Sequence, residues 1–163
     1  MFREMRRKRQ QLTESECIEI LERNTSGVLA VSGDDDYPYA VPLSYVFDAN
    51  KIYFHCAKSG HKLDAIQRNF KSSFCVIDQD LIIPAKYTTH FKSVIAFGRI
   101  RVVEDEQEKR AAIEKLAIKY APDESSDGRQ QTIDREWGPL CILEMNMEHV
   151  TGKEAIELVN KRQ

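Results

Sequence analysis

Between Gly27 and Ala57 the sequence offers three short runs rich in Val, Ile, Tyr and Phe, separated only by the tight polar turns Asp34-Asp35-Asp36 and Asp48-Ala49-Asn50. Connections this short cannot carry a crossover, so the runs must pair antiparallel. The spacing predicts strands over residues 27–32, 39–47 and 51–57, with further strands over 73–77, 91–103 and 140–147, the last ending at Thr151-Gly152. Residues 78–90, which hold Pro84, read as a loop or a bent edge. Three helices flank these strands. Thr13 and Glu16 form a capping-box pattern before a helix over 14–23, and Leu63, Ile66 and Phe70 mark one over 61–70. Asp105 and Glu108 open a third, which ends before Pro122. Residues 123–135 are polar with no apolar period. A mainly β chain with six or so antiparallel strands and peripheral helices is most simply a small closed or partly closed barrel, because closure removes exposed edges.

A chain of 163 residues, 42% hydrophobic and 31% charged, is expected to form one domain over residues 1–163. Its net charge of −2 gives no global bias toward nucleic acid or anionic membrane. The basic residues Arg3, Arg6, Arg7, Lys8 and Arg9 make an arm over 1–11. Without interleaved aromatics it reads as a solvated terminus rather than a nucleic-acid contact. The longest charge-free stretch, residues 37–47, is far short of the roughly 20 apolar residues of a membrane helix. No apolar core of an export signal follows the first Met, so a cytoplasmic address is expected. Cys17, Cys56, Cys75 and Cys141 form no C-x-x-C pair and read as free thiols, with no metal site.

Chemistry concentrates in residues 52–62, a strand, a glycine turn and a helix start. His61 and Lys62 place cations at a helix amino terminus, where they are ordinarily disfavoured. Either they meet a bound anion such as a phosphate, or they are solvent-facing residues after a turn. His55 shares a strand face with Tyr53 and Ala57, opposite Ile52, Phe54 and Cys56. Metal binding by His55, Cys56 and His61, or a Cys-His catalytic pair, meets the objection that His55 and Cys56 point to opposite faces. Pro42, inside the run Tyr39-Ala40-Val41-Pro42-Leu43-Ser44-Tyr45, marks an edge, a bulge or backbone facing a ligand. Lys92-Ser93 and Trp137 carry no meaning alone.

In order, Gly27-Val28-Leu29-Ala30, the Pro42 run, Ile52 to Ala57 leading into Gly60-His61-Lys62, Phe91 to Ile100 and Val150-Thr151-Gly152-Lys153-Glu154 resemble one known group. It is the pyridoxamine 5′-phosphate oxidase-like superfamily of split β-barrel flavoproteins, and within it the nitroimidazole-resistance branch. The resemblance implies a homodimer with FMN at the subunit interface, FAD being the alternative. Val41, Pro42, Leu43 and Ser44 would run along the isoalloxazine. His55, Cys56, Ala57, Gly60, His61 and Lys62 would hold the ribityl phosphate, and Lys92 and Ser93 would also reach the flavin. His55 would face the flavin and substrate as the active-site residue, and Trp137 would cover the partner's flavin. The implied activity is a flavin-dependent oxidoreductase passing electrons to a nitroimidazole-type or other small organic acceptor. A non-catalytic flavin-binding or storage protein is the alternative, and haem-handling relatives supply a third reading. The chain lacks the arginine-rich carboxy-terminal motif of true pyridoxamine phosphate oxidases, which argues against vitamin B6 synthesis.

Overall fold

The computed structural model describes residues 1–162. Seven strands form one antiparallel sheet: β1 (Ser26–Ser32), β2 (Pro38–Ser44), β3 (Val46–Asp48), β4 (Lys51–Ala57), β5 (Lys71–Ile83), β6 (Thr88–Val102) and β7 (Leu140–Glu154). Their lateral order is β2-β1-β5-β6-β7-β4-β3. The two outermost strands are halves of one continuous stretch, divided only by Tyr45. One half pairs with β1 and the other with β4, so the sheet closes on itself.

Tyr45 explains why the single strand expected over 39–47 is two. Its backbone N–H donates to the Tyr120 hydroxyl at 2.9 Å instead of to a strand. Its buried side-chain hydroxyl donates to the Leu21 carbonyl at 2.7 Å. Alternation fills the interior: Leu29, Ile52, Phe54, Phe74, Val76, Val94, Leu143 and Met145 are fully buried, each worth about 1.5–3 kcal/mol. Phe74 meets Tyr45 and Phe54 edge-on, at centroid distances of 4.8 and 5.0 Å.

Helix α1 (Glu14–Arg23) closes the barrel with Cys17, Ile20 and Leu21, and its expected capping box is formed by Thr13 and Glu16. Helix α2 (His61–Arg68) buries Leu63, Ala65 and Ile66. It ends before Phe70, which lies exposed beneath the Arg99 guanidinium. Helix α3 (Glu106–Tyr120) is capped by Asp105 as expected. With Val46, Leu140 and Ile142 it builds a second, smaller apolar cluster outside the barrel.

Three expectations are corrected. Residues 78–90 are not a loop: β5 and β6 continue as a two-stranded ribbon to a turn at Pro84–Lys86. A bulge between Ile77 and Gln79 lets Asp78 leave the ladder and bind Arg23 and Asn24 while pairing resumes beyond it. The polar stretch 123–135 contains helix α4 (Ser126–Glu136), capped by Ser125. It buries Ile133 alone and is tied to α3 through Arg110 to Gln130 and Asp134, so no apolar period announces it. β7 runs through Thr151-Gly152 because β6 pairs with it there, Val94 opposite Gly152. A β-carbon at Gly152 would lie 2.5 Å from the Cys17 sulfur, so glycine is what lets α1 approach. The basic side chains Arg3, Arg6, Arg7, Lys8 and Arg9 are exposed as expected, while the arm is held at two points: the Phe2 ring stacks on His149 at 4.6 Å, and buried Gln10 donates to the Glu154 carbonyl at 2.8 Å. A last helix, α5 (Ile156–Lys161), follows β7.

Candidate functional site

β2 is an edge strand, which is how Pro42 is tolerated without a ladder donor. Tyr39, Val41 and Leu43 of β2 pack toward the core. Pro42 and Ser44 face out, opposite Val28 and Ser26 of β1. Register carries the outer row onward: Val28 opposes Cys75, and Cys75 opposes Ile95. The result is a strip across four strands in which Pro42, Val28 and Ile95 stand exposed.

On β4 the outward phase places His55 opposite Ile142 and leaves it exposed. It lines a cavity of about 210 Å³ with Ile113, Leu116, Ala117 and Tyr120 of α3, Thr132, Ile133 and Glu136 of α4, and Leu140. The α3 and α4 residues were invisible as site residues in the sequence. Ile133, the one apolar residue of a polar stretch, was the signal available.

Helix α2 starts differently from its neighbours. α1, α3 and α4 have side-chain caps, whereas Gly60 caps α2 with backbone alone, at φ +132°. The Gly60 carbonyl receives the Leu63 and Asp64 amides. Those of His61 and Lys62 meet no acceptor among the described residues. Lys62 bears on the Cys56 thiol, which burial, and after it the neighbouring Cys141 thiol, push up to about 12 against the pull of the Lys62 ammonium. His61 turns back onto the β1–β2 turn. Its ring lies 4.1 Å from that of Tyr39, and its Nε2 is 3.6 Å from the Asp34 carboxylate. That carboxylate is held below its ordinary value chiefly by Arg68, 2.6 Å away, with His61 a smaller contribution.

Within one chain the expected site residues therefore fall into separate groups. Gly60 and His61 reach the start of β2 through the Tyr39–His61 contact, residues 41–44 continue along that strand away from it, and His55, Cys56, Ala57 and Lys62 lie along β4 and the first turn of α2. Lys92 and Ser93 lie on β6, separated from β2 by β1 and β5 and from β4 by β7. Lys92 is 3.6 Å from the buried Glu154 carboxylate, while Ser93 faces out opposite Ile77. Trp137 is engaged by its own chain. Lys109 and Arg110 lie over its ring, and its indole N–H donates to Glu106 at 3.0 Å. Among the described residues no cluster of three or more His, Cys, Asp or Glu could hold a metal ion, and no helix is long and apolar enough to cross a membrane.

A sheet whose two edges are one bent strand, closed around an aromatic core and flanked by helices on β4 and β7, defines a split β-barrel protein. Residues 13–154 match the family model for pyridoxamine 5′-phosphate oxidase, and the chain belongs to that family. No curated protein matches it. Among solved structures it is similar to a Bacteroides thetaiotaomicron protein assigned provisionally to 5-nitroimidazole antibiotic resistance, with 18% identity and TM-score 0.74 over 88% of this chain and 86% of that one. A FAD-binding protein from Mesorhizobium loti is 23% identical with TM-score 0.64, over 89% of this chain and 95% of that one. A FAD- and haem-binding protein from Mycobacterium smegmatis is 13% identical with TM-score 0.69, over 90% and 73%.

Proposed function

We propose that this chain is a flavin-dependent oxidoreductase that reduces a small organic acceptor, a nitroaromatic of the nitroimidazole type being the model substrate. The observation that carries the reading is His55, which projects from β4 into a 210 Å³ cavity lined mainly by apolar side chains. The cavity is large enough for a single small ring, and His55 is the group there suited to deliver a proton to a reduced acceptor. Apolar side chains from α3 and α4 orient the ring. Bound FMN supplies the two-electron redox chemistry. The α2 start fits its phosphate: two unbonded amides and a glycine cap with open space around it lie there, and Lys62 belongs to the same first turn. The FAD-binding relatives support a flavin and make FAD the alternative cofactor.

The reading includes a homodimer. The exposed strip through Pro42, Val28 and Ile95 is a surface that a second copy would cover. Lys92 and Ser93, remote from the α2 start in their own chain, would complete the site of the other copy. Four free thiols support a reducing, cytoplasmic address.

The test is an absorption spectrum of the purified protein with mass identification of the released compound, followed by NAD(P)H-driven reduction of a nitroimidazole. Near-stoichiometric flavin and turnover above that of free FMN are expected. His55→Gln should lower kcat about 100-fold while flavin stays bound. Flavin without turnover would convert the reading to a binding or storage protein. A protein that neither carries nor binds flavin would remove it.

A further inference from the structure

Cys56 on β4 and Cys141 on β7 are directly opposed in the antiparallel ladder. Both belong to the inward phase of their strands, Cys56 with Ile52 and Phe54, Cys141 with Leu143 and Met145, so their side chains leave the sheet on the same side. Opposed residues in an antiparallel pair have Cα atoms about 4.5 or 5.5 Å apart, depending on the type of pair. Both distances fall inside the roughly 4.4–6.8 Å that a disulfide spans. The Cα separation is therefore compatible with a bond between these sulfurs. The remaining thiols lack such a partner: Cys17 is packed on α1 beneath Gly152, and Cys75 faces outward between Val28 and Ile95.

Cys56 is the more accessible of the two, half-buried against 6% exposure for Cys141. Cys141 lines an open cleft of about 330 Å³ together with Leu63 and Gln67 of α2 and Val102 and Val103 at the end of β6. The Lys62 ammonium beside Cys56 favours its thiolate.

We propose that Cys56 and Cys141 are a redox-active dithiol, a modification site that a hydroperoxide closes to a cross-strand disulfide. The Cys56 thiolate attacks the peroxide oxygen; the O–O bond breaks, hydroxide leaves and takes up the proton that Cys56 released, so one water forms and a sulfenic acid remains on Cys56. The Cys141 sulfur then attacks that sulfur; the S–O bond breaks, the S–S bond forms and a second water leaves. Two thiols and one hydrogen peroxide thus yield one disulfide and two waters, the cysteines oxidised and the peroxide reduced. Burial keeps the thiolate scarce at neutral pH, so closure is slow there and accelerates about tenfold per pH unit on the alkaline side. The pair borders the α2 start proposed for the flavin phosphate and shares Lys62 with it. Closure would clamp the end of β4 to β7 just before the turn into α2.

The experiment is oxidation of the purified full chain with hydrogen peroxide, then thiol counting, intact mass and non-reducing peptide mapping. The expected result is a fall from four free thiols to two, a mass loss of about 2 Da per chain, a crosslinked peptide joining Cys56 to Cys141, and full reversal by dithiothreitol. Cys75→Ser should leave the crosslink intact, and Cys141→Ser should abolish it and leave Cys56 to overoxidise. The mapping of the unsubstituted chain decides the matter even where Cys141→Ser folds poorly. Persistence of all four thiols, a disulfide between other cysteines, or a bond between two chains would overturn the proposal.

Discussion

Glu144 is a carboxylate 6% exposed on β7, and its charge is accounted for residue by residue. Arg101 donates to it at 2.9 Å and Lys51 at 3.0 Å. Burial raises its pKa, but these two cations together outweigh burial and hold it below the ordinary 4.5. A carboxyl whose folded-state pKa is depressed stabilises the fold above its unfolded pKa, and that contribution disappears as pH falls through the folded value. Glu144→Gln should therefore cost about 1–3 kcal/mol at pH 7, with the gap to the unsubstituted protein closing as pH drops below about 4.5. Urea midpoints across pH measure this, and a gap that does not change with pH would refute it. At this scale the sequence was partly legible. Alternation assigned His55 and Cys56 to opposite faces, and they lie so. It could not reveal that His61 rests against Asp34 and Tyr39, or that Trp137 is occupied by Lys109, Arg110 and Glu106. Those contacts join residues that folding, not spacing, brings together.

Among the elements, α2 depends most on one backbone geometry. Gly60 sits at φ +132° and ψ 169°, a conformation that side-chain-bearing residues avoid, although a β-carbon there would touch nothing within 4 Å. Gly60→Ala should thus cost about 1–3 kcal/mol through backbone strain alone. Gly138→Ala, equally uncrowded and without a positive φ, should cost little. Thermal melts of the two variants check this; equal stability would mean that the helix start relaxes freely. Elements with a strong local signal were legible: the capping box of α1, the Asp105 cap of α3 and the alternation of β4 all stand where the sequence puts them. The elements that were missed lacked one. α4 buries a single apolar residue, and the ribbon of β5 and β6 beyond Ile77 exposes Leu81, Ile82 and Tyr87, so neither shows the pattern of a half-buried element. Gly152 looked like a strand breaker because its local propensity is poor, yet close packing against Cys17 requires it.

For the molecule as a whole, the outer strip tests the dimer. Val28→Lys combined with Ile95→Lys places charges on exposed positions outside the barrel core. Sedimentation should show a monomer, flavin retention should fall, and the circular dichroism of the barrel should stay unchanged. A dimer that survives both substitutions would place the interface elsewhere. The antiparallel meander over residues 27–57 follows from the sequence alone, because its alternating runs are joined by turns too short for crossovers, and a barrel is the simplest way to cover the edges of such a sheet. Closure through Tyr45, the wall that α3 and α4 raise beside His55, and the opposition of Cys56 to Cys141 were decided only by the tertiary structure. Local periodicity fixes which way a side chain faces, but which distant residue it meets depends on register and lateral strand order, and these are set by the packing of the entire core.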